Sequence, residues 1–204
     1  RSTPLYSSAA SDVYKRQDVP RFVGHIRSEA QRLVTLIGDI IRLSQLDEGE
    51  PMPTETVDLL EVTREAAENL QTAAAARDVT VTVEGQPAEL EGVRRLLYEI
   101  VYNLCDNAIK YNVTGGRVDL SVSCTGGTAA VMVRDTGIGI PADQQDRVFE
   151  RFYRVDKSHS KASGGTGLGL SIVKHAVQYH HGVIELKSEL GKGTEIRVTF
   201  PVKA

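Results

Sequence analysis

The chain has no tryptophan, and only 5% of its 204 residues are aromatic. Neither of its two cysteines, Cys105 and Cys124, has the cysteine and histidine spacing of a zinc site, so we predict two reduced core thiols. No apolar run approaches the roughly 20 residues of a membrane helix. The formal net charge of -3 and the lack of a basic run argue against a nucleic-acid partner. These absences leave a soluble, reduced segment without metal-binding cysteines.

Composition and spacing divide the chain into four parts. Residues 1–17 are rich in Ser, Ala and Tyr without an apolar period, and we expect a disordered or extraneous leader there. Apolar residues then recur at every third or fourth position, which predicts an amphipathic helix over 18–49. Two closely spaced prolines follow and indicate a linker over 50–55. The remaining residues, 56–204, are long enough to form a separate domain.

Short strands alternate with longer helices beyond the linker. A Gly-Gly pair at 126–127 can supply the positive backbone angles of a hairpin turn. The stretch between residues 137 and 167 shows no regular period. Helices are predicted over 60–76, 93–112 and 168–180, and strands over 57–59, 79–83, 118–124, 129–134, 183–188 and 194–200. This order predicts an α+β fold with one mixed sheet under helices.

The first chemical motif is Asn-Leu-Cys-Asp-Asn-Ala-Ile-Lys-Tyr at residues 103–111. Its helix places four polar side chains on one stripe beside the buried one: Asn103, Asn107, Lys110 and Tyr111. Asparagine carbonyl oxygens suit a hydrated Mg²⁺ carried by a triphosphate, and a lysine adds positive charge for phosphate oxygens. The alternative is a solvated helix face whose amides only satisfy neighbouring backbone groups.

The second motif starts with Asp135 at the predicted end of a strand and continues through Gly137 and Gly139. A carboxylate at the base of a pocket can accept a hydrogen bond from the exocyclic amine of adenine, whereas it would repel the carbonyl of guanine. The motif therefore favours adenine. The alternative is an aspartate that merely begins a glycine turn.

The third motif leads directly into the last predicted helix. Its residues are Gly165, Thr166, Gly167, Leu168 and Gly169. Glycines let backbone amides approach phosphate, and a helix N-terminus directs unpaired N–H groups towards it. The segment lacks the lysine of a P-loop and the spacing of the dinucleotide fingerprint. The order of the three motifs predicts an ATP pocket.

These residues resemble the ATP-binding catalytic domain of bacterial sensor histidine kinases, which has the Bergerat fold. The resemblance covers residues 56–204 and implies a sandwich of helices on a mixed sheet. Four segments carry it, and they are similar to the N box at 103–111, the first glycine box at 135–139, the F box at 149–153 and the second glycine box at 165–169.

The resemblance also implies roles and a reaction. Asn107, helped by Asn103, would hold Mg²⁺, and Asp135 would recognise adenine. Arg154 and Lys110 would steady the phosphates while a lid between the last two boxes closes. The implied reaction transfers the γ-phosphoryl group of ATP to a histidine, and then to an aspartate of a response regulator.

The helix over 18–49 resembles the second helix of the family's dimerisation hairpin, which would pair with a second kinase chain. The acceptor histidine motif of the preceding helix is absent, and we predict that His25 is an ordinary helix residue. We therefore expect a truncated kinase that is a monomer or weak dimer. It would be a cytoplasmic part of a longer protein of the bacterial inner membrane.

Three alternatives stay open. One is a non-catalytic adaptor that binds nucleotide to set the conformation of its lid. Another is an ATP-hydrolysing Bergerat-fold protein, although such families place a glutamate where this chain has Asn103. The third is a serine kinase of the anti-sigma type, which normally lacks the preceding dimerisation helix.

Overall fold

The computed structural model describes residues 8–48, 51–155 and 165–202. The chain divides into two compact units, residues 1–38 and residues 39–204. Over the described ranges, no helix is long and apolar enough to cross a membrane.

Helix α1 spans Ser8–Glu48 and begins earlier than the predicted helix over 18–49. Residues 8–17 of the expected leader are helical, and residues 1–7 lie outside the described part of the chain. Ser, Ala, Lys, Arg and Gln in that stretch are acceptable helix formers, so a helix forms there without an apolar period. Pro20 lies inside the helix, where its missing N–H removes one backbone hydrogen bond.

Over its described residues, the second unit contains two sheets and three further α-helices. The five-stranded sheet has the order β2-β4-β5-β7-β6, and β2 and β4 pair in parallel while the other neighbours are antiparallel. A separate small sheet pairs β1 with β3. The strands are β1 Glu55–Asp58, β2 Thr80–Gly85, β3 Glu89–Gly92, β4 Arg117–Thr125, β5 Thr128–Asp135, β6 Val183–Glu189 and β7 Gly193–Pro201. The helices are α2 Leu59–Ala75, α3 Arg94–Lys110 and α4 Gly169–Tyr179, with a 3₁₀ turn at Ala142–Gln144.

One hydrophobic core joins these helices to the sheet. Along a single row across the sheet, Val122 on β4 faces Val131 on β5, which faces Val198 on β7. All three are buried, because strand residues two apart point to the same face. Burying each such side chain stabilises the fold by roughly 1.5–3 kcal/mol. The predicted α+β architecture is confirmed.

The hairpin between β4 and β5 is confirmed by the backbone angles of its turn. Gly126 has φ 60° and Gly127 has φ 73°, and the residues on either side, Thr125 and Thr128, pair directly. Positive φ at both central residues is what a two-residue hairpin turn requires.

Strand β3 and one cysteine differ from the sequence-based expectations. The sequence of β3, Glu-Leu-Glu-Gly, has little intrinsic strand preference, and the strand forms because β1 lies beside it.

Cys105 is buried, and burial raises the pKa of its thiol to about 12. Cys124 is exposed, so its prediction as a core thiol is wrong. The alternation that buries Val118, Leu120 and Val122 stops there, beside the hairpin turn.

His180 joins the end of α4 to the start of α3. Its buried ring accepts a hydrogen bond at Nε2 from the amide of Val93 at 3.0 Å, and its Nδ1 lies 2.7 Å from the carbonyl oxygen of Ala176. Both contacts are satisfied by the neutral ring that carries its proton on Nδ1. Burial is the main cause that lowers the pKa of His180, so the folded chain favours the neutral form.

We expect the free energy of unfolding to fall as the pH drops from about 6.5, the ordinary histidine pKa, through the lowered pKa of His180. The unfolded chain takes up a proton in this range that the folded chain resists. His180→Gln should flatten this dependence in denaturant titrations, whereas His181→Gln, at the exposed neighbouring position, should not. A slope unchanged in His180→Gln would assign the effect to another group.

Candidate functional site

Helix α3 carries Asn103, Asn107 and Lys110 on the half-buried border of its core face. The side-chain amide of Asn103 donates from Nδ2 to the carbonyl oxygen of Glu99 at 2.8 Å. Its Oδ1 faces the start of α4, because a Cβ atom built on Gly169 would lie only 2.8 Å from it. The structure thus brings the first and third motifs into contact, and the missing side chain of Gly169 provides the space.

Lys110 and Tyr111 end this helix in different ways. The Nζ atom of Lys110 lies 2.6 Å from Oδ2 of Asp106, one turn earlier, so a carboxylate already neutralises the predicted phosphate ligand. Tyr111 has an exposed side chain, and its carbonyl oxygen accepts a hydrogen bond from the amide of Ile138 at 3.0 Å. The backbone of Tyr111 therefore holds the second motif against α3.

Asp135 ends strand β5, as predicted, and its carboxylate is half-buried. Its Oδ1 accepts hydrogen bonds from the amides of Gly137 at 2.8 Å and Thr194 at 3.2 Å. Burial is the largest cause acting on the pKa of Asp135 and raises it, while the two backbone hydrogen bonds act in the opposite direction. Because both bonds use Oδ1, the other carboxylate oxygen is left available for a ligand.

The glycines of the second motif sit where a side chain cannot fit. A Cβ atom on Gly137 would lie 2.3 Å from the carbonyl oxygen of Tyr111. Gly139 has φ +69°, and a Cβ atom there would lie 2.1 Å from the carbonyl oxygen of Glu189. The loop after Asp135 therefore packs against α3 on one side and the β6–β7 hairpin on the other.

The third motif is joined by hydrogen bonds to the F box and to the arginine that follows it. Arg154 donates from Nη1 to the carbonyl oxygen of Gly165 at 2.6 Å, and the amide of Phe152 donates to the carbonyl oxygen of Gly167 at 2.9 Å. Phe152 and Gly167 both have positive φ, at 62° and 75°. Arg154 thus contacts the second glycine box, and its role at the phosphates stays a prediction. Of the predicted lid, residues 156–164 lie outside the described residues.

The end of α1 contacts this region through Asp47, which lies outside the sequence motifs. Arg151 donates from Nη2 to both carboxylate oxygens of Asp47, at 2.7 and 2.6 Å, and His175 on α4 lies beside the same carboxylate. The hydrogen bond from Arg151 is the main cause that lowers the pKa of Asp47. Burial lowers the pKa of His175.

Comparison with known proteins agrees with this geometry. The family model described as "Histidine kinase-, DNA gyrase B-, and HSP90-like ATPase" matches residues 92–204. The chain belongs to this ATPase family. The sensor-like histidine kinase SenX3 of Mycolicibacterium smegmatis is 40% identical over 185 residues, which cover 90% of this chain and 48% of that protein. The chain thus spans about half the length of this relative.

Solved structures place the ATPase fold among sensor histidine kinases. The mycobacterial sensor histidine kinase MprB matches with a TM-score of 0.64 and 32% identity, covering 73% of this chain and 97% of that one. Full-length ShkA in complex with AMPPNP matches with a TM-score of 0.77 and 25% identity, covering 99% of this chain and 41% of that one. The predicted family and Bergerat fold are confirmed.

The donor set of this ATPase domain fits a nucleotide that carries a hard cation. Asn103 and Asn107 offer amide oxygens on neighbouring turns of α3, and Gly169 leaves room beside one of them. The sequence analysis did not single out Asp106, although a carboxylate four residues before a lysine has the spacing of an ion pair within a helix. It also missed Asp39 and Asp47 on α1, which were treated only as part of a helix.

Proposed function

We propose that this chain is the phosphoryl-donor domain of a two-component sensor histidine kinase. It would transfer the γ-phosphoryl group of ATP to a histidine. The observation that carries the proposal is the carboxylate of Asp135, with Oδ1 fixed by two backbone amides beside the junction of α3 and the second motif. The sensor histidine kinase relatives, and the AMPPNP complex of ShkA, support both the nucleotide and the reaction class.

Each part of the site has a task in this proposal. Asp135 would accept a hydrogen bond from the adenine amine, and Asn107 with Asn103 would hold Mg²⁺. Lys110 and Arg154 steady the phosphate charge, together with the backbone amides at the start of α4. Bound Mg²⁺ supplies charge neutralisation for the polyanion.

The chemical step is a displacement at phosphorus. A histidine nitrogen forms the new bond to the γ-phosphorus, the bond from that phosphorus to the β–γ bridging oxygen breaks, and ADP leaves with the bond's electron pair. The ring attacks through its unprotonated nitrogen, and the proton on the other ring nitrogen then leaves to solvent or a neighbouring base. The domain's contribution is positioning and electrostatic stabilisation, because the imidazole comes from another element.

Hydrolysis of ATP by an activated water is less well supported. Such a reaction needs a general base beside the γ-phosphate, and the α3 position facing Gly169 is the amide of Asn103. The carboxylate one turn earlier, on Glu99, lies 3.3 Å from Nε of Arg42 and is buried. Steady-state ATP hydrolysis that disappears on replacing Asn103 would overturn this preference.

The partners follow from the first unit and from the reaction. Helix α1 exposes large apolar side chains at three- and four-residue spacing, as a dimerisation helix does before its partner packs on it. They include Phe22, Ile26, Leu33 and Ile37. We propose that this face meets a second kinase chain and that a response regulator receives the phosphoryl group. The domain would work in the cytoplasm as part of a longer inner-membrane protein.

Asn107→Ala tests the magnesium assignment. Mg²⁺ should raise the affinity of the parent for ATP. We expect Asn107→Ala to lose most of this increase, a loss of roughly tenfold or more in affinity, because an amide ligand to the cation is gone. Affinity for ATP in EDTA should stay close to that of the parent. Calorimetric titrations with and without Mg²⁺ make the comparison, and Asn69→Ala, an exposed amide on α2, serves as the control. An Asn107→Ala variant with an unchanged magnesium effect would contradict the assignment.

A further inference from the structure

Asp39 is a buried acid that touches the predicted phosphate loop. Its side chain lies on the same face of α1 as Leu43 and Leu46, and all three are less than a tenth exposed. Its Oδ2 accepts a hydrogen bond from the hydroxyl of Thr166 at 2.9 Å, across 127 residues of sequence. Thr166 also accepts a hydrogen bond from the amide of Leu168 at 3.3 Å. A carboxylate therefore sits against the segment that should bind phosphate.

A second buried acid, Glu99, shares Arg42 with Asp39. Nη1 of Arg42 lies 3.7 Å from Oδ1 of Asp39, and its Nε lies 3.3 Å from Oε1 of Glu99. The other oxygen of Glu99 is buried without a hydrogen bond in the described part of the chain, and burial raises the pKa of this group. The two carboxylates thus share the guanidinium of Arg42, and Arg95 adds a further positive charge near Glu99.

We propose that Asp39 acts as an internal anion that competes with the nucleotide phosphates for Thr166. The inference rests on the proposed function of this site as an ATP pocket. Phosphate oxygens are strong acceptors for the same hydroxyl, and the carboxylate of Asp39 repels them at short range. Both anions cannot use the hydroxyl of Thr166 at once, so one must withdraw.

The competition links ATP binding to the end of α1. When nucleotide occupies the loop, Asp39 loses its hydrogen bond from Thr166, and the segment 39–48 is held by fewer contacts. The ion pairs of Arg42 with Glu99 and of Asp47 with Arg151 remain. Linkage is reciprocal, so anything that frees this segment strengthens nucleotide binding by the same factor. ATP would thereby loosen the helix that leads to the dimerisation face, and signals arriving along that helix would tune ATP affinity.

The test measures the dissociation constant of AMPPNP with Mg²⁺ by calorimetry in the parent chain and in variants. We expect Asp39→Ala to bind about 5- to 50-fold more tightly, in the range of typical coupling between sites. Asp39→Asn, which keeps an acceptor but removes the charge, should gain less. Glu99→Gln removes the other buried acid without touching Thr166, and Glu48→Gln removes an exposed acid nearby, so both should gain much less than Asp39→Ala.

Several outcomes separate the possibilities. The competition would be overturned, with the ATP pocket left intact, if Asp39→Ala bound AMPPNP no more tightly than the parent. It would also be overturned if Glu99→Gln gained as much affinity as Asp39→Ala. Absence of binding in every variant would instead refute the proposed function. A second readout is independent of variants that fold poorly: AMPPNP should speed amide hydrogen exchange over 39–48 in the parent, and slower exchange there would overturn the inference.

Discussion

Asp135→Asn lowers the affinity for ATP by roughly a hundredfold, or about 2.7 kcal/mol, in our account. The two backbone amides on Oδ1 keep an acceptor oxygen at that position. The asparagine amide must therefore turn its NH₂ group towards the ligand, where the carboxylate had offered an acceptor. A donor then faces the adenine amine, which is itself a donor, and both groups are left unpaired. Titration of the variant with ATP measures the loss.

The same variant should fold as well as the parent. Burial raises the pKa of Asp135, so ionising this carboxyl costs more in the folded than in the unfolded chain, and above both pKa values it opposes folding. The penalty disappears as the pH falls through the raised pKa towards the ordinary value, and asparagine removes it at every pH. Asp143→Asn, an exposed acid on the 3₁₀ turn, should change neither quantity. An ATP affinity in Asp135→Asn equal to that of the parent would show that Asp135 does not contact adenine.

Gly137→Ala is expected to lower the free energy of unfolding by about 3 kcal/mol and to abolish ATP binding. The new Cβ atom would lie 2.3 Å from the carbonyl oxygen of Tyr111 and 3.0 Å from the Cα atom of Asn112. Both are backbone atoms, so the strain cannot be relieved by rotating a side chain. Moving the loop away would break the hydrogen bonds that join it to α3 and to Asp135. Denaturant unfolding and ATP titration measure the two effects.

Gly24→Ala is the matched control for this substitution. Gly24 lies in helix α1 with nothing within 4 Å of an added Cβ atom. The same chemical change should there stabilise the helix slightly, by up to about 1 kcal/mol, because alanine has the higher helix propensity. ATP affinity should not change. A Gly137→Ala chain as stable as its parent would show that the loop does not pack on α3 as the structure has it.

Local patterns were sufficient for much of the fold. The buried stripe of α3 follows from its three- and four-residue spacing, and the hairpin at 126–127 follows from two adjacent glycines. Asp135 could be placed at a strand end because alternation stops there. These features depend on neighbours within a few residues, which is the range that sequence reasoning covers.

Features that depend on distant residues were not predictable in the same way. Strand β3 exists because β1 pairs with it, and the contact between Asp39 and Thr166 joins residues far apart in sequence. An acid on the apolar face of α1, four residues before Leu43, was a usable signal for a buried polar contact. Its partner could not have been identified, because nothing in the sequence fixes which loop meets that helix.

The charge environment of the site also needed the structure. Lys110 was predicted as a free phosphate ligand, whereas its ammonium is paired with Asp106. Its role at the phosphates stays a prediction, and it requires the ammonium to exchange this partner or to use another of its three donors. Arg42 likewise lies between the carboxylates of Asp39 and Glu99, and Arg154 donates to the carbonyl oxygen of Gly165. Phosphate binding would therefore rearrange ion pairs that already exist.

The most direct test of the central claim is transfer of label from γ-labelled ATP with Mg²⁺ to a separate histidine-bearing hairpin from a sensor kinase. We predict acid-labile label on the hairpin and none on the chain itself. At an ATP concentration near the dissociation constant of the parent, Asp135→Asn should remove nearly all of the label. Tight ATP binding without any transfer would contradict the claim and favour a nucleotide-binding adaptor. Label on the chain itself would show that one of its own histidines, such as His25, is an acceptor.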